Sequence, residues 1–166
     1  MLRQQARKLG PVARAQIHHA VRNSKHVSYE LALAIASRET NMVNKVGDGG
    51  HGRGIFQLDD RYQRAFLESH RGCRSGTNLA IYKSAFPAGR VPGIYAGAVR
   101  MCQIMDSNVA QAIRDNVPSG KRLRLAISAY NAGYQGALIG FQNSGDSDKN
   151  TTGHNYAKDV LGRMAG

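Results

Sequence analysis

Apolar residues recur at three- and four-residue intervals at Leu2, Ala6, Leu9, Ala13, Ile17 and Ala20, flanked by Arg and Lys. This spacing predicts a basic amphipathic helical region over residues 1–25. Pro11 predicts a second helix beginning there, because proline fits the first helical turn. A cationic amphipathic helix can lie on a membrane, but half of this stripe is alanine and none of it is aromatic, so it is assigned to the domain's own core. Ser28 reads as an N-cap, with Glu30 in the first turn and Leu31, Leu33, Ala34 and Ile35 behind it. That helix is expected to be buried on most sides and to end at Ser37-Arg38-Glu39-Thr40-Asn41.

Residues 47–54, Gly-Asp-Gly-Gly-His-Gly-Arg-Gly, hold five glycines in eight positions, which predicts a shaped loop or small β-hairpin. Neither nucleotide-binding glycine motif is present, so phosphate cradling is set aside. The pattern weakens over 61–93, where one short helix at most is expected. Helical spacing resumes at Ile94–Met105, Ser107–Asn116 and Gly120–Tyr130, separated by turn formers. Asn143–Gly153 reads as a polar loop, and Asn155–Met164 as a last amphipathic helix. With 166 residues, no repeats and no linker, the expectation is one domain over 1–166, mainly α (α+β), with its glycine-rich loop beside a cleft.

The longest unbroken apolar run, Leu31 to Ala36, is far short of the roughly 20 residues of a membrane-spanning helix. No secretory leader is read at the N-terminus. Cys73 and Cys102 are two core or free thiols, with a single bridge left open. Charge is the first feature that bears on function: 23 basic against 11 acidic residues gives +12. An anionic partner follows, whether nucleic acid, membrane or bacterial wall.

The scarce acids are informative. No acid precedes Glu30, and Glu39, Asp48, Asp59 and Asp60 fall within 22 residues. Glu39 ends an apolar helix, where desolvation and the helix dipole both disfavour its ionised form and suit it to act as a general acid. The competing reading is a solvated glutamate or one paired with Arg38 or Arg53. Asp48 and Asp59 bracket the glycine-rich loop, and carboxyl groups in unlike environments are what glycosidic cleavage requires. Asp60 is read as a helix cap or solvated charge.

Ser37-Arg38-Glu39-Thr40, the run Gly47 to Asp59 ending Gly-Ile-Phe-Gln-Leu-Asp, Ile127-Ser-Ala-Tyr-Asn-Ala-Gly133 and Thr151-Thr-Gly-His-Asn-Tyr-Ala-Lys-Asp-Val160 together resemble the goose-type lysozymes. These belong to the wider lysozyme and lytic transglycosylase superfamily, and the resemblance covers about Pro11 to Met164. It implies a lysozyme-like catalytic domain in which Glu39 is the general acid and Asp48 and Asp59 position or activate water. It also implies that Gln57, Tyr130, Asn131, Gly133 and Tyr156 line the sugar cleft, and that no cofactor or metal is used. The implied activity is a muramidase, acting on bacterial peptidoglycan as a monomer and drawn to the anionic envelope by its charge. The loop between Glu39 and Asp48 is shorter than in avian members, their disulfides have no counterpart, and 61–93 is longer and shares no motif. These departures point away from an animal secreted enzyme and toward a bacterial or phage one. With no leader read, the expected setting is a phage endolysin released from the host cytoplasm through a holin lesion, or a domain of a larger virion or secreted protein. The departures also leave open which aspartate activates water. Two alternatives remain: a lytic transglycosylase giving anhydro-muramyl products, and a basic module binding an anionic polymer. Nucleic acid is not expected, since there is no Trp and no recognisable reading motif.

Overall fold

A computed structural model describes residues 1–69 and 91–166, with the side chains of 68 and 69 left out. Its first helices are α1 (Leu2–Ala6), a 3-10 turn at Arg7–Leu9 and α2 (Gly10–Val21), with Pro11 in the first turn of α2. Gly10, at φ +75°, bends the chain between them. Leu2, Ala6, Ile17 and Ala20 are buried, so the predicted stripe faces the core. Next comes α3 (Tyr29–Thr40), capped as expected by Ser28, whose hydroxyl accepts the Leu31 N–H at 3.1 Å. Leu31 to Ala36 are all buried, and Asn41 in the left-handed region ends the helix. The main hydrophobic core surrounds α3.

The glycine-rich segment folds as a three-stranded antiparallel sheet: β1 (Val46–Gly47), β2 (Gly52–Arg53) and β3 (Leu58–Asp59), in that order. It is tied to the end of α3 by Thr40, whose hydroxyl donates to the Ile55 carbonyl at 3.0 Å. The Gln57 side chain holds it from within, its amide donating to the Gly54 and Lys45 carbonyls at 2.8 and 3.1 Å. A Cβ at Gly47 or Gly52 would overlap Gln57 Oε1, so a side chain at either position must push that amide out of its bonds. Gly52→Ala is expected to cost about 1–3 kcal/mol through this overlap, read as a lower urea midpoint at unchanged slope.

Beyond the sheet lie α4 (Arg64–Ser69), α5 (Ile94–Arg114), α6 (Ser119–Ala132), α7 (Tyr134–Ser144) and α8 (Tyr156–Ala165). The break expected near Asp106 and Ser107 is absent, and α5 runs through it. Asp106 does not turn on its own backbone: its carboxylate accepts the Ser24 hydroxyl and the Lys25 and His26 N–H groups, tying α5 to the turn after α2. A second small core of Ala112, Val117, Leu125, Ala129, Ala137 and Leu138 joins α5, α6 and α7.

The expected polar loop at Asn143–Gly153 is also corrected. It holds the end of α7 and two 3-10 turns, Ser147–Asn150 and Thr152–His154. Asp148 within it is 0% exposed. Its carboxylate accepts the Ser128 hydroxyl at 2.8 Å and the Ala157 and Lys158 N–H groups at 2.8 and 3.0 Å, capping α8. Cys102 is buried and free, its thiol pushed up to about 12 by burial, while Cys73 and most of the 61–93 segment lie outside the described residues. No described helix is long and apolar enough to cross a membrane.

Candidate active site

Glu39 lies in the last turn of α3, and its carboxyl accepts a short hydrogen bond from the Tyr156 hydroxyl at the start of α8. Neither arginine proposed as a partner takes it. Arg38 pairs with Asp159 at 3.0 Å, and Arg53 pairs with Asp60 at 3.0 Å. Burial raises the Glu39 pKa from the ordinary 4.5 to about 7, against the opposing pull of the Tyr156 hydrogen bond and Arg38. A carboxyl group that holds its proton near neutrality is equipped to donate it.

Asp48 and Asp59 come from the two edges of the sheet, and Arg61 binds both. Its guanidinium reaches Asp59 Oδ2 at 2.6 Å and Asp48 Oδ2 at 3.4 Å. Asp59 is the more fully held, since its Oδ1 also accepts the Arg61 Nε and backbone N–H at 3.0 and 2.9 Å. These bonds hold the Asp59 carboxyl below the usual carboxylate range. Asp48 is the open one, with its side chain 68% exposed against 24% for Asp59. Asp60 is no solvated charge: it clamps His51 Nδ1 at 2.9 Å and Arg53 at 3.0 Å, bracing β2 against the residue after β3.

Glu39, Asp48 and Asp59 line one cavity of about 370 Å³ together with Gln57, Tyr130, Asn131 and Thr152. A second cavity of about 410 Å³ shares Gln57, Asp59, Tyr130 and Asn131 and extends past Gly133, Tyr62 and Tyr134, so the two form one groove. Of the residues expected to line a sugar cleft, Gln57, Tyr130 and Asn131 reach the carboxylates, and Gly133 lies further along. Tyr156 does not line the groove. It is 2% exposed, behind Glu39, and so presents no ring face to a ligand. Tyr130 also joins α6 to the sheet, its hydroxyl donating to the Phe56 carbonyl at 2.7 Å, and Asn131 Oδ1 accepts the Thr152 N–H at 2.8 Å.

Sequence reasoning missed Arg61, which sits at the edge of the segment with no motif, and Thr152. The nearest approach to a metal-ligand set among the described residues is His51, Asp59 and Asp60. Their carboxylates are already taken by Arg61 and Arg53, which makes the cluster an ion-pair network. No protein-family model matches the chain, and a search of curated proteins finds no match.

Proposed function

We propose that this chain is a peptidoglycan hydrolase that cuts the β-1,4 bond between N-acetylmuramic acid and N-acetylglucosamine with inversion. The observation that carries the reading is the meeting of Glu39, Asp48 and Asp59 on one cavity wall in unlike environments. Glu39 protonates the leaving glycosidic oxygen. Asp48, open to solvent, takes the proton of the attacking water, whereas Asp59, with its lone pairs occupied by Arg61, anchors that arginine between the two carboxylates. The groove continues on one side of the carboxylates, as a polymeric substrate requires. Reducing sugar released from purified peptidoglycan by the wild-type chain, and not by Glu39→Gln, tests the assignment. Absence of release by both overturns it.

The mechanism sets a pH dependence. Since the acid must carry its proton, kcat/KM is expected to fall about tenfold per pH unit above about 7. Tyr156→Phe removes the hydrogen bond that favours the Glu39 carboxylate, so the alkaline limb should move to higher pH. An unmoved limb would separate Tyr156 from the titration. Asp48→Asn is expected to lower kcat by about 10²–10⁴, the usual range for a lost general base.

A lytic transglycosylase would use the same Glu39 but let the muramyl C6 hydroxyl attack. It would have no need of Asp48 as a base, and Asp48→Asn would leave its rate nearly unchanged.

A further inference from the structure

Half of the net charge lies at one end of the chain. Residues 1–29 hold Arg3, Arg7, Lys8, Arg14, Arg22 and Lys25 and no acid, which is +6 of the total +12. Arg3, Arg7, Lys8, Arg22 and Lys25 are exposed, and none of the five pairs with a carboxylate among the described residues. By contrast Arg38, Arg53, Arg61, Arg124 and Arg163 are all spent on Asp partners. The unpaired cations lie at both ends of α2, whose 12 residues span about 18 Å. They therefore form two clusters about one helix length apart and not a single point.

The chemistry of this segment narrows its partner. Leu2, Ala6, Ile17 and Ala20 are sealed in the core, and the exposed apolar residues of the segment, Met1 and Val12, make no continuous stripe to enter a bilayer. The segment has no exposed Tyr, Phe or Trp on which a base would stack. What remains is Coulombic attraction to a flexible chain carrying repeated anions. Resting on the wall-hydrolase reading for the identity of that chain, we infer that the exposed cations flanking α2, on the turn before it and the turn after it, dock the enzyme on a phosphodiester-linked polymer of the bacterial wall.

The test uses the full chain carrying Glu39→Gln, so that the wall survives the assay, and measures sedimentation with purified walls before and after chemical removal of their phosphodiester polymer. Replacing Arg7, Lys8, Arg22 and Lys25 by Gln is expected to weaken binding to intact walls about tenfold or more at low salt. Replacing Lys45, Arg114, Lys121 and Lys149, equal in number and exposed elsewhere, is expected to change it less than threefold, about the effect of net charge alone. Stripped walls should bind the parent and the α2 variant alike. Equal losses from both sets of substitutions, unchanged binding to stripped walls, or preferential capture by anionic lipid vesicles or duplex DNA would each overturn the inference. Without the Glu39 change, the α2 variant should cleave short soluble glycan strands at the parent's rate. Retained docking with no cleavage by the wild-type chain would instead sink the hydrolase reading and leave the basic clusters standing.

Discussion

Glu39→Gln is expected to abolish the proposed glycan cleavage, lowering kcat/KM by at least ~10²–10⁴, and at the same time to make the fold more stable above neutral pH. The two effects have one cause. The native carboxyl holds its proton up to about pH 7, whereas an unfolded chain releases it near 4.5. Between these values the folded state binds more protons, so its stability falls as pH rises. The gap corresponds to about 3 kcal/mol, present in full below pH 4.5 and lost by the time pH has passed 7. Glutamine keeps an oxygen for the Tyr156 hydroxyl and carries no charge to bury. The variant should therefore melt at nearly the wild-type temperature at pH 4 and roughly 5–10 °C higher at pH 8. A wild-type chain with the same melting temperature relative to Glu39→Gln at both pH values would show that burial does not control this carboxyl.

The largest loss of stability is expected at Asp148, which does not line the groove. Asp148→Ala leaves the Ala157 and Lys158 N–H groups without their acceptor and Arg124 without its buried partner, at a carboxylate closed to water. Removing one partner from such a buried charged network costs about 3–5 kcal/mol, a large part of the 5–15 kcal/mol typical of a domain. The cost propagates to function, because these bonds hold the first turn of α8, and Tyr156 at its start holds Glu39. Urea unfolding measures the loss directly, and a change below about 1 kcal/mol would mean that the cap is dispensable.

The elements that could be read from the chain were those with a local cause. The Ser28 cap, the apolar run Leu31 to Ala36 and the glycines of residues 47–54 all act through neighbours a few positions away, and the fold realises each of them. The candidate carboxylates were legible for the same reason: rare acids close together in sequence. What stayed hidden depends on distant partners. Asp106 looks like a helix breaker until its acceptors are found occupied by residues 24–26, and Asp148 looks like a loop residue until α6 and α8 close over it. Tyr156 has a ring suited to sugar contact, and only the packing of α8 on α3 shows that its hydroxyl is the part in use. The α7 helix was not anticipated, because its Gly136 and Gly140 weaken the helical pattern. Gly140 allows close packing on the turn that follows, where a Cβ would meet the Asp146 carbonyl at 2.9 Å and Lys149 Cβ at 3.1 Å, whereas Gly136 has room for one.

In the proposed mechanism Glu39 and Asp48 deliver a proton and a water molecule across a muramyl linkage. Mass spectrometry of the soluble products from purified peptidoglycan tests it most directly. The mechanism predicts disaccharide-peptides ending in reducing N-acetylmuramic acid, absent with Glu39→Gln and strongly reduced with Asp48→Asn. Anhydro-muramyl products, one water lighter and formed as readily by Asp48→Asn, would contradict it.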